Sequence, residues 1–223
     1  MKIKIRHPWN LNPQDAKKLQ EQLRNSVSLK NGFKEIDTVC GIDVAFNENY
    51  AYAVAILLSY PNLEVIEERH SETVLSYPYI PGLLVFREGP AILSCLDELE
   101  NEPDLLMLDG QGIAHPRGFG IACHIGVILG KPTIGCAKSK LVGKYEEPDR
   151  KRGAFSFLFN DNQKIGTVLR TRTGVKPIFV SPGHLIDLET SAKIALTCSI
   201  RYRIPEPLRI ADKKSRKLAK CNG

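Results

Sequence analysis

The sequence predicts an α/β fold: one mixed central sheet, formed by an antiparallel three-strand meander and then a parallel βαβα stretch, flanked by helices. Three observations predict it. Between residues 38 and 75 three strand-like runs are separated only by short polar turns. From about residue 104 short apolar runs alternate with longer stretches of helical periodicity. Finally, three apolar stretches each lead into an acid: Val39-Cys40-Gly41-Ile42 into Asp43, Leu83-Leu84-Val85-Phe86-Arg87 into Glu88, and Leu105-Leu106-Met107-Leu108 into Asp109.

The elements follow in order. A helix is expected from about Pro13 to Ser28, with Asn12 as N-cap, Pro13 in the first turn, and Ala16, Leu19, Leu23 and Val27 on one face. Strands Thr38–Phe46, Tyr50–Leu58 and Leu63–Leu75 are joined by connections too short for anything but antiparallel pairing. Tyr77-Pro78-Tyr79-Ile80-Pro81-Gly82 cannot be regular and reads as an exposed loop with an aromatic tip. A helix from about Pro90 to Leu99 follows, which leaves Glu88 at its entrance. Asp104–Leu108 and Thr133–Cys136 read as buried strands around a helix from Arg117 to Leu129, closed by Gly130 and Pro132. Strands alternating with helices imply right-handed parallel crossovers. Further strands are expected at Ala154–Phe159, Ile165–Thr171 and Pro177–Val180, a final helix at Ile186–Cys198, and a basic tail over about 213–223. A meander followed by βαβα is the order of an RNase H-like fold, in which the ends of the first and fourth strands lie side by side. That would bring Asp43 and Asp109 together.

No Pro-, Gly- or Ser-rich linker divides the 223 residues, so a single domain over 1–223 is expected. No apolar run approaches the roughly 18 residues that span a bilayer. The first residues, Met1-Lys2-Ile3-Lys4-Ile5-Arg6, lack the apolar core of a secretion signal, so the expected location is cytoplasmic, without membrane attachment. Six cysteines contain no C-x-x-C pair, and five of them sit in apolar segments, as reduced core thiols would. The net charge of +6 is uneven, with Lys213, Lys214, Arg216, Lys217 and Lys220 facing only Asp212, which suits a polyanionic partner.

Ionised carboxylates at the ends of buried strands cost several kcal/mol unless a cation compensates them. A single such acid is usually a cap; three with similar lead-ins suggest a metal site. Oxygen-only ligands favour a hard cation, Mg²⁺ or Mn²⁺, over zinc, and such a site suits phosphodiester hydrolysis. Lys138, directly after the strand ending at Cys136, is a candidate for catalysis or phosphate binding. Asp109-Gly110-Gln111-Gly112 offers backbone N–H groups with little side chain in the way. His115 and His184 lie in Gly/Pro-containing segments read as turns that present side chains, whereas His124 falls within a helix and reads as a core imidazole.

Taken in order, Gly41-Ile42-Asp43-Val44-Ala45-Phe46, Tyr77–Gly82 with Phe86-Arg87-Glu88, Asp109–Gly112 with His115-Pro116-Arg117, Gly135-Cys136-Ala137-Lys138, Ser181-Pro182-Gly183-His184 and Arg203-Ile204-Pro205-Glu206-Pro207 resemble the endonuclease V family. The resemblance runs from about residue 13 to 212. It implies a Mg²⁺-dependent endonuclease, with Mn²⁺ as a substitute, that acts on DNA containing deoxyinosine. Cleavage would fall at the second phosphodiester bond 3′ to the lesion, leaving 3′-hydroxyl and 5′-phosphate ends. It further implies Asp43 and Asp109 as principal metal ligands, completed by Glu88. Tyr79, Ile80 and Pro81 would be a wedge filling the gap left by the extruded base, and Gly82, Leu84, Gly110, Gln111 and Gly112 the base pocket. Lys138 and His115 would lie near the scissile phosphate. Asp212, where some family members carry His, is expected as an active-site neighbour. Inosine-containing RNA stays open as a substrate, and a monomer is expected. Two other readings are weighed: an actin-like ATP-binding module, disfavoured by size, and a catalytically silent nucleic-acid-binding protein, disfavoured by the presence of all three acids.

Overall fold

A computed structural model describes residues 1–221. The helices are α1 (Pro13–Arg24), α2 (Leu84–Asp97), α3 (Ile121–Leu129), α4 (Leu188–Thr197) and α5 (Glu206–Cys221). The strands are β1 (Thr38–Phe46), β2 (Tyr50–Ser59), β3 (Val65–Val74), β4 (Leu105–Asp109), β5 (Thr133–Ala137), β6 (Phe155–Asn160), β7 (Gln163–Leu169) and β8 (Ile178–His184). They form one eight-stranded mixed sheet in the order β3-β2-β1-β4-β5-β8-β7-β6. The meander pairs antiparallel, β1 runs parallel to β4 and β4 to β5, and β8, β7 and β6 add an antiparallel edge.

Both faces of the sheet are covered, and the alternation of side chains sorts the core accordingly. Cys40, Ile42, Leu106 and Leu108 pack with α2 and α3, while Val39, Leu105, Met107 and Ile134 pack with α4 and α5. Five cysteines are buried free thiols and Cys221 is exposed. Among the described residues no helix is long and apolar enough to cross a membrane.

Four expectations are corrected. Helix α1 begins as expected, the Asn12 side chain accepting from the amides of Gln14 and Asp15 at 3.0 Å, but it stops at Arg24 instead of Ser28. There Ser26 and Val27 tighten into i→i−3 bonds to Leu23 and Arg24. Helix α2 starts at Leu84, six residues before Pro90, so the apolar stretch leading to Glu88 is helix and not strand; Pro90 lies inside it. Ser181 to His184 is the end of β8, paired with β5, and not a turn.

The fourth correction concerns the basic tail. Residues 206–221 form α5, whose Pro207, Leu208, Ala211, Ser215 and Ala219 are buried. Most of the expected tail is therefore helix, while residues 222 and 223 lie outside the described part. The helix approaches the sheet so closely that a Cβ on Gly41 would lie 2.3 Å from the Pro207 carbonyl carbon.

Candidate active site

The register of β1 on β4 determines how the first two acids meet. The parallel pairing ends with Ile42 opposite Leu108, and Asp43 and Asp109 are the next residue on each strand. Ile42 and Leu108 point into the core under α2 and α3, so both carboxylates point the other way, toward α5. Asp43 is not a strand end, since β1 continues to Phe46 against β2; it stands where β1 and β4 part.

Helix α5 supplies the third acid. Carboxylate oxygens of Asp43, Asp109 and Asp212 all lie within 4.8 Å of one another, the one such acidic cluster among the described residues. Lys138, just after β5, bridges two of them, its Nζ 2.7 Å from Asp109 Oδ2 and 3.1 Å from Asp212 Oδ1. Arg216 donates to Asp212 at 2.8 Å, and the Ser215 hydroxyl donates to Asp43 Oδ2 at 2.5 Å. Arg203 holds the backbone beneath Lys138 by donating to its carbonyl at 2.7 Å.

Glu88 reaches the same cleft of about 320 Å³ from α2 and lies outside the tight cluster. The expected set of Asp43, Asp109 and Glu88 is thus rearranged: Asp212 joins the two strand acids because α5 packs over them, and Glu88 faces them from a helix.

Electrostatics bear on what the cleft can hold. Burial is the main reason that the Asp43 carboxyl rises to about 6; the Ser215 hydrogen bond opposes the rise, and the charges of Asp109 and Asp212 add to it. Burial, then the neighbouring Asp43 and Asp109, push Glu88 well above the usual carboxylate range. For Lys138, burial pulls downward, but hydrogen bonds and charges from Asp109 and Asp212 outweigh it and the net shift is upward. Lys138 and Arg216 thus stand beside four acids, of which Asp43 and Glu88 are held above the usual carboxylate range. An all-oxygen donor set, already drawn around a side-chain cation, fits a hard metal ion.

A second cleft adjoins the first, with Leu84 and Ile121 lining both. Its rim carries Tyr79 and Pro81, and its floor Gly82, Gly110, Gln111 and His115. Tyr79 is 68% exposed, an unusual position for an aromatic side chain. Ile80 departs from the expected wedge by packing against the core. Neither α2 at Leu83 nor α3 at Gly120 has a side-chain N-cap; the Phe86 amide donates to the Leu83 carbonyl at 3.0 Å and the Ala122 amide to the Gln111 carbonyl at 3.1 Å, and both helix starts reach this cleft through Leu84 and Ile121.

Two glycines behave differently from expectation. Gly112 does not line the cleft: its N–H donates to Ser181 Oγ at 2.8 Å, and a Cβ there would lie 2.1 Å from the Pro182 carbonyl oxygen, so its smallness serves packing on β8. The Gly110 N–H is taken by the Cys136 carbonyl at 3.2 Å. A Cβ on Gly110 would lie 2.5 Å from Ile121, and its absence keeps the floor low.

His115 is buried and does not line the acidic cleft. Its Nδ1 accepts from the Arg117 amide at 3.3 Å, so Nε2 carries the proton and donates to the Gly82 carbonyl at 3.1 Å. Burial first, and Arg117 second, hold it down to about 4, so it is neutral near pH 7. His184 is buried at the end of β8, its Nδ1 accepting from the Ser28 amide at 3.2 Å. Sequence reasoning missed Ile121, Ser215 and Gln20; Ile121 and Gln20 look like ordinary helix residues and Ser215 falls in the expected basic tail, and only their placement against another element gives them a role.

The model of the endonuclease V family matches residues 21–213. A curated endonuclease V from Methanothrix thermoacetophila is 47% identical over 220 residues, covering 99% of this chain and 98% of its own. A crystal structure of the endonuclease V of Bacillus subtilis superposes with a TM-score of 0.94 at 36% identity, covering 100% of this chain and 98% of that one. The Ciona intestinalis endonuclease V, solved in complex with a 23mer DNA containing an inosine followed by a ribo-adenosine, gives a TM-score of 0.85 at 30% identity over 96% of this chain and all of its own. With a family match over most of its length and relatives nearly half identical from end to end, this chain belongs to the endonuclease V family.

Proposed function

We propose that the protein is a Mg²⁺-dependent endodeoxyribonuclease of RNase H-like architecture. It recognises deoxyinosine in DNA and hydrolyses the second phosphodiester bond on its 3′ side, leaving 3′-hydroxyl and 5′-phosphate ends. The observation that carries this reading is the juxtaposition of a carboxylate cluster, held around the Lys138 ammonium, with a second cleft rimmed by the exposed Tyr79. The Ciona relative, bound to inosine-containing DNA, supports the choice of lesion.

Asp43, Asp109 and Asp212 would hold the metal, with Glu88 facing them across the cleft. When bound, Mg²⁺ would supply Lewis-acid activation of water and neutralise charge building on the phosphate. The protein's own contributions can be derived separately. Ser215 holds one oxygen of Asp43 by hydrogen bond. Lys138, placed between Asp109 and Asp212, provides a positive charge that can turn to a phosphate oxygen once its acids are otherwise compensated. His115, with both ring nitrogens engaged, would contribute by holding the Gly82 turn.

In the second cleft, Tyr79 and Pro81 would fill the gap left by an extruded base, offsetting the few kcal/mol that unstacking costs. Hypoxanthine differs from adenine by an O6 acceptor in place of the amino group. The N-terminal ends of α2 and α3, which line this cleft through Leu84 and Ile121, carry the positive ends of their helix dipoles and suit an acceptor better than an exocyclic amine.

The test incubates the protein with a labelled strand containing inosine, in the presence of Mg²⁺ and beside an Asp109→Asn variant. Cleavage one nucleotide beyond the lesion's 3′ neighbour bond, abolished by the variant and by chelation, is the expected result. Uncut substrate, or equal cutting by the variant, would refute the assignment. A matched RNA strand in the same assay decides whether inosine in RNA is also a substrate.

A further inference from the structure

We infer that Gln20, His115 and Arg117 form a clamp that sets the lesion-reading turn, with Gln20 of α1 as a positioning residue that acts through Gly82. The inference rests on the role proposed above for Tyr79 and its turn.

Ile80-Pro81-Gly82-Leu83 is a tight turn closed by Leu83 N–H donating to the Ile80 carbonyl at 2.9 Å. Pro81 occupies its second position and Gly82, with φ of +80°, its third, the pattern of a type II turn. The peptide between Gly82 and Leu83 is fixed at both ends. Its N–H closes the turn, and its carbonyl receives Arg117 Nη2 at 2.6 Å, His115 Nε2 at 3.1 Å and Gln20 Nε2 at 3.3 Å. A carbonyl oxygen has two lone pairs. Three converging donors over-determine its direction, and with it the direction in which Tyr79 leaves the turn.

Gln20 ties this arrangement to α1. It is 1% exposed, and a buried amide is costly unless its groups are satisfied. They are: Oε1 accepts from Arg117 Nε at 2.8 Å, while Nε2 is shared between the carbonyls of Gly82 and Phe119, each at 3.3 Å. Arg117 thus uses one edge of its guanidinium to join Gln20 to the turn, which a lysine could not do with a single ammonium. The Gly82 position is equally committed, since a Cβ there would lie 2.9 Å from Arg117 Nη2. Packing alone would be served by an apolar residue at position 20, one turn after the buried Ala16. The glutamine is explained by the carbonyl it holds.

Gln20→Glu keeps the shape and the acceptor for Arg117 but removes both donated bonds; Arg117→Lys breaks the link from the other side. The experiment follows single-turnover cleavage of an inosine-containing strand, fluorescence of 2-aminopurine placed beside the inosine as a reporter of unstacking, and the Mg²⁺ concentration for half-maximal rate. Both variants are expected to lower the cleavage rate at saturating protein by about tenfold and to reduce the fluorescence rise, with the Mg²⁺ midpoint unchanged. An undiminished fluorescence rise and rate, or a shift of the Mg²⁺ midpoint in step with the rate, overturns the clamp. If Gln20→Glu does not fold, the half-buried Arg117→Lys decides alone. A fluorescence rise absent from the unaltered protein would instead refute the reading of Tyr79, and the clamp with it.

Discussion

The acidic cleft and the cleft beside Tyr79 share Leu84 and Ile121 as a common wall, yet they are built by opposite means. Asp43 and Asp109 are placed by strand register: once Ile42 pairs with Leu108, the next residue on each strand must stand beside the other. The wall of the second cleft is a turn whose shape is imposed by side chains distant in sequence, Gln20 from one helix and His115 and Arg117 from another loop. The first should therefore tolerate chemical change with its scaffold intact, and the second should lose its shape when a supporting group is changed. A reaction centre set by strand register next to a reader held by side-chain props lets the two be altered separately.

The largest expected effect tests the first half of that contrast. Asp109→Asn removes one charge from the cluster and should lower cleavage by about 10³-fold or more. Urea melts should show the fold unharmed, because relief of repulsion among three close carboxylates offsets the lost Lys138 contact. A large loss of stability would show that the cleft is held together by its charges and not by strand register.

Gly41→Ala attacks the scaffold itself. The added Cβ would lie 2.3 Å from the Pro207 backbone, which cannot yield as a flexible side chain would. Lifting α5 should cost about 1–3 kcal/mol in an equilibrium melt, and it should also cut activity, because α5 carries Asp212 and Ser215. A variant of native stability and full activity would show that the helix can shift without disturbing the acids.

Acid titration probes the second cleft. His115 is held to about 4 in the fold against 6.5 ordinarily, so between those values the unfolded chain binds more proton than the folded one. Its contribution is therefore complete above pH 6.5 and is lost as the pH falls toward 4, on the order of 3 kcal/mol in all. His7, His124 and His184 are shifted the same way. The comparison with His115→Gln across that range isolates the share of the turn: the variant should lose less stability on acidification than the unaltered protein, and parallel curves would remove His115 from the account.

How far the sequence foretold this arrangement also divides along the contrast. The meander was legible nearly to the residue because its turns are short, and the placing of Asp43 beside Asp109 followed from the architecture that the order of strands and helices suggested. Glu88 was misplaced because Pro90, a common first-turn residue, sits in the second turn of α2, where Leu83 to Arg87 also reads as a buried strand. Helix α5 was hidden because its inward positions, Ala211, Ser215 and Ala219, are small or polar among lysines and arginines, so its inner stripe reads as solvated. β8 was cut short because Ser181-Pro182-Gly183 spells a turn, although Gly183 is there to let the strand pack against Ala122 and Thr133. The carbonyl of Gly82 is a different matter. No spacing rule connects residue 20 to residue 82, and only the folded chain brings them into contact.

The smallest expected effect bears on how finely the first cleft is tuned. Ser215 donates to Asp43 Oδ2 at 2.5 Å and lies 3.1 Å from the Asp212 carbonyl, so its single proton has two acceptors within reach. It is fully buried, and Ala at this position leaves almost no cavity. Ser215→Ala should therefore destabilise the fold by only about 1 kcal/mol. It removes the one neutral donor that helps Asp43 stay ionised against burial and two like charges. The Mg²⁺ concentration for half-maximal cleavage should rise by about tenfold, the scale of losing one supporting hydrogen bond to a metal-binding carboxylate, while the rate at saturating metal changes little. A fall in the saturated rate at an unchanged Mg²⁺ midpoint would mean that Ser215 orients the reacting phosphate and not the carboxylate. The carboxylate cleft would then also depend on side-chain props, as the turn beside it does.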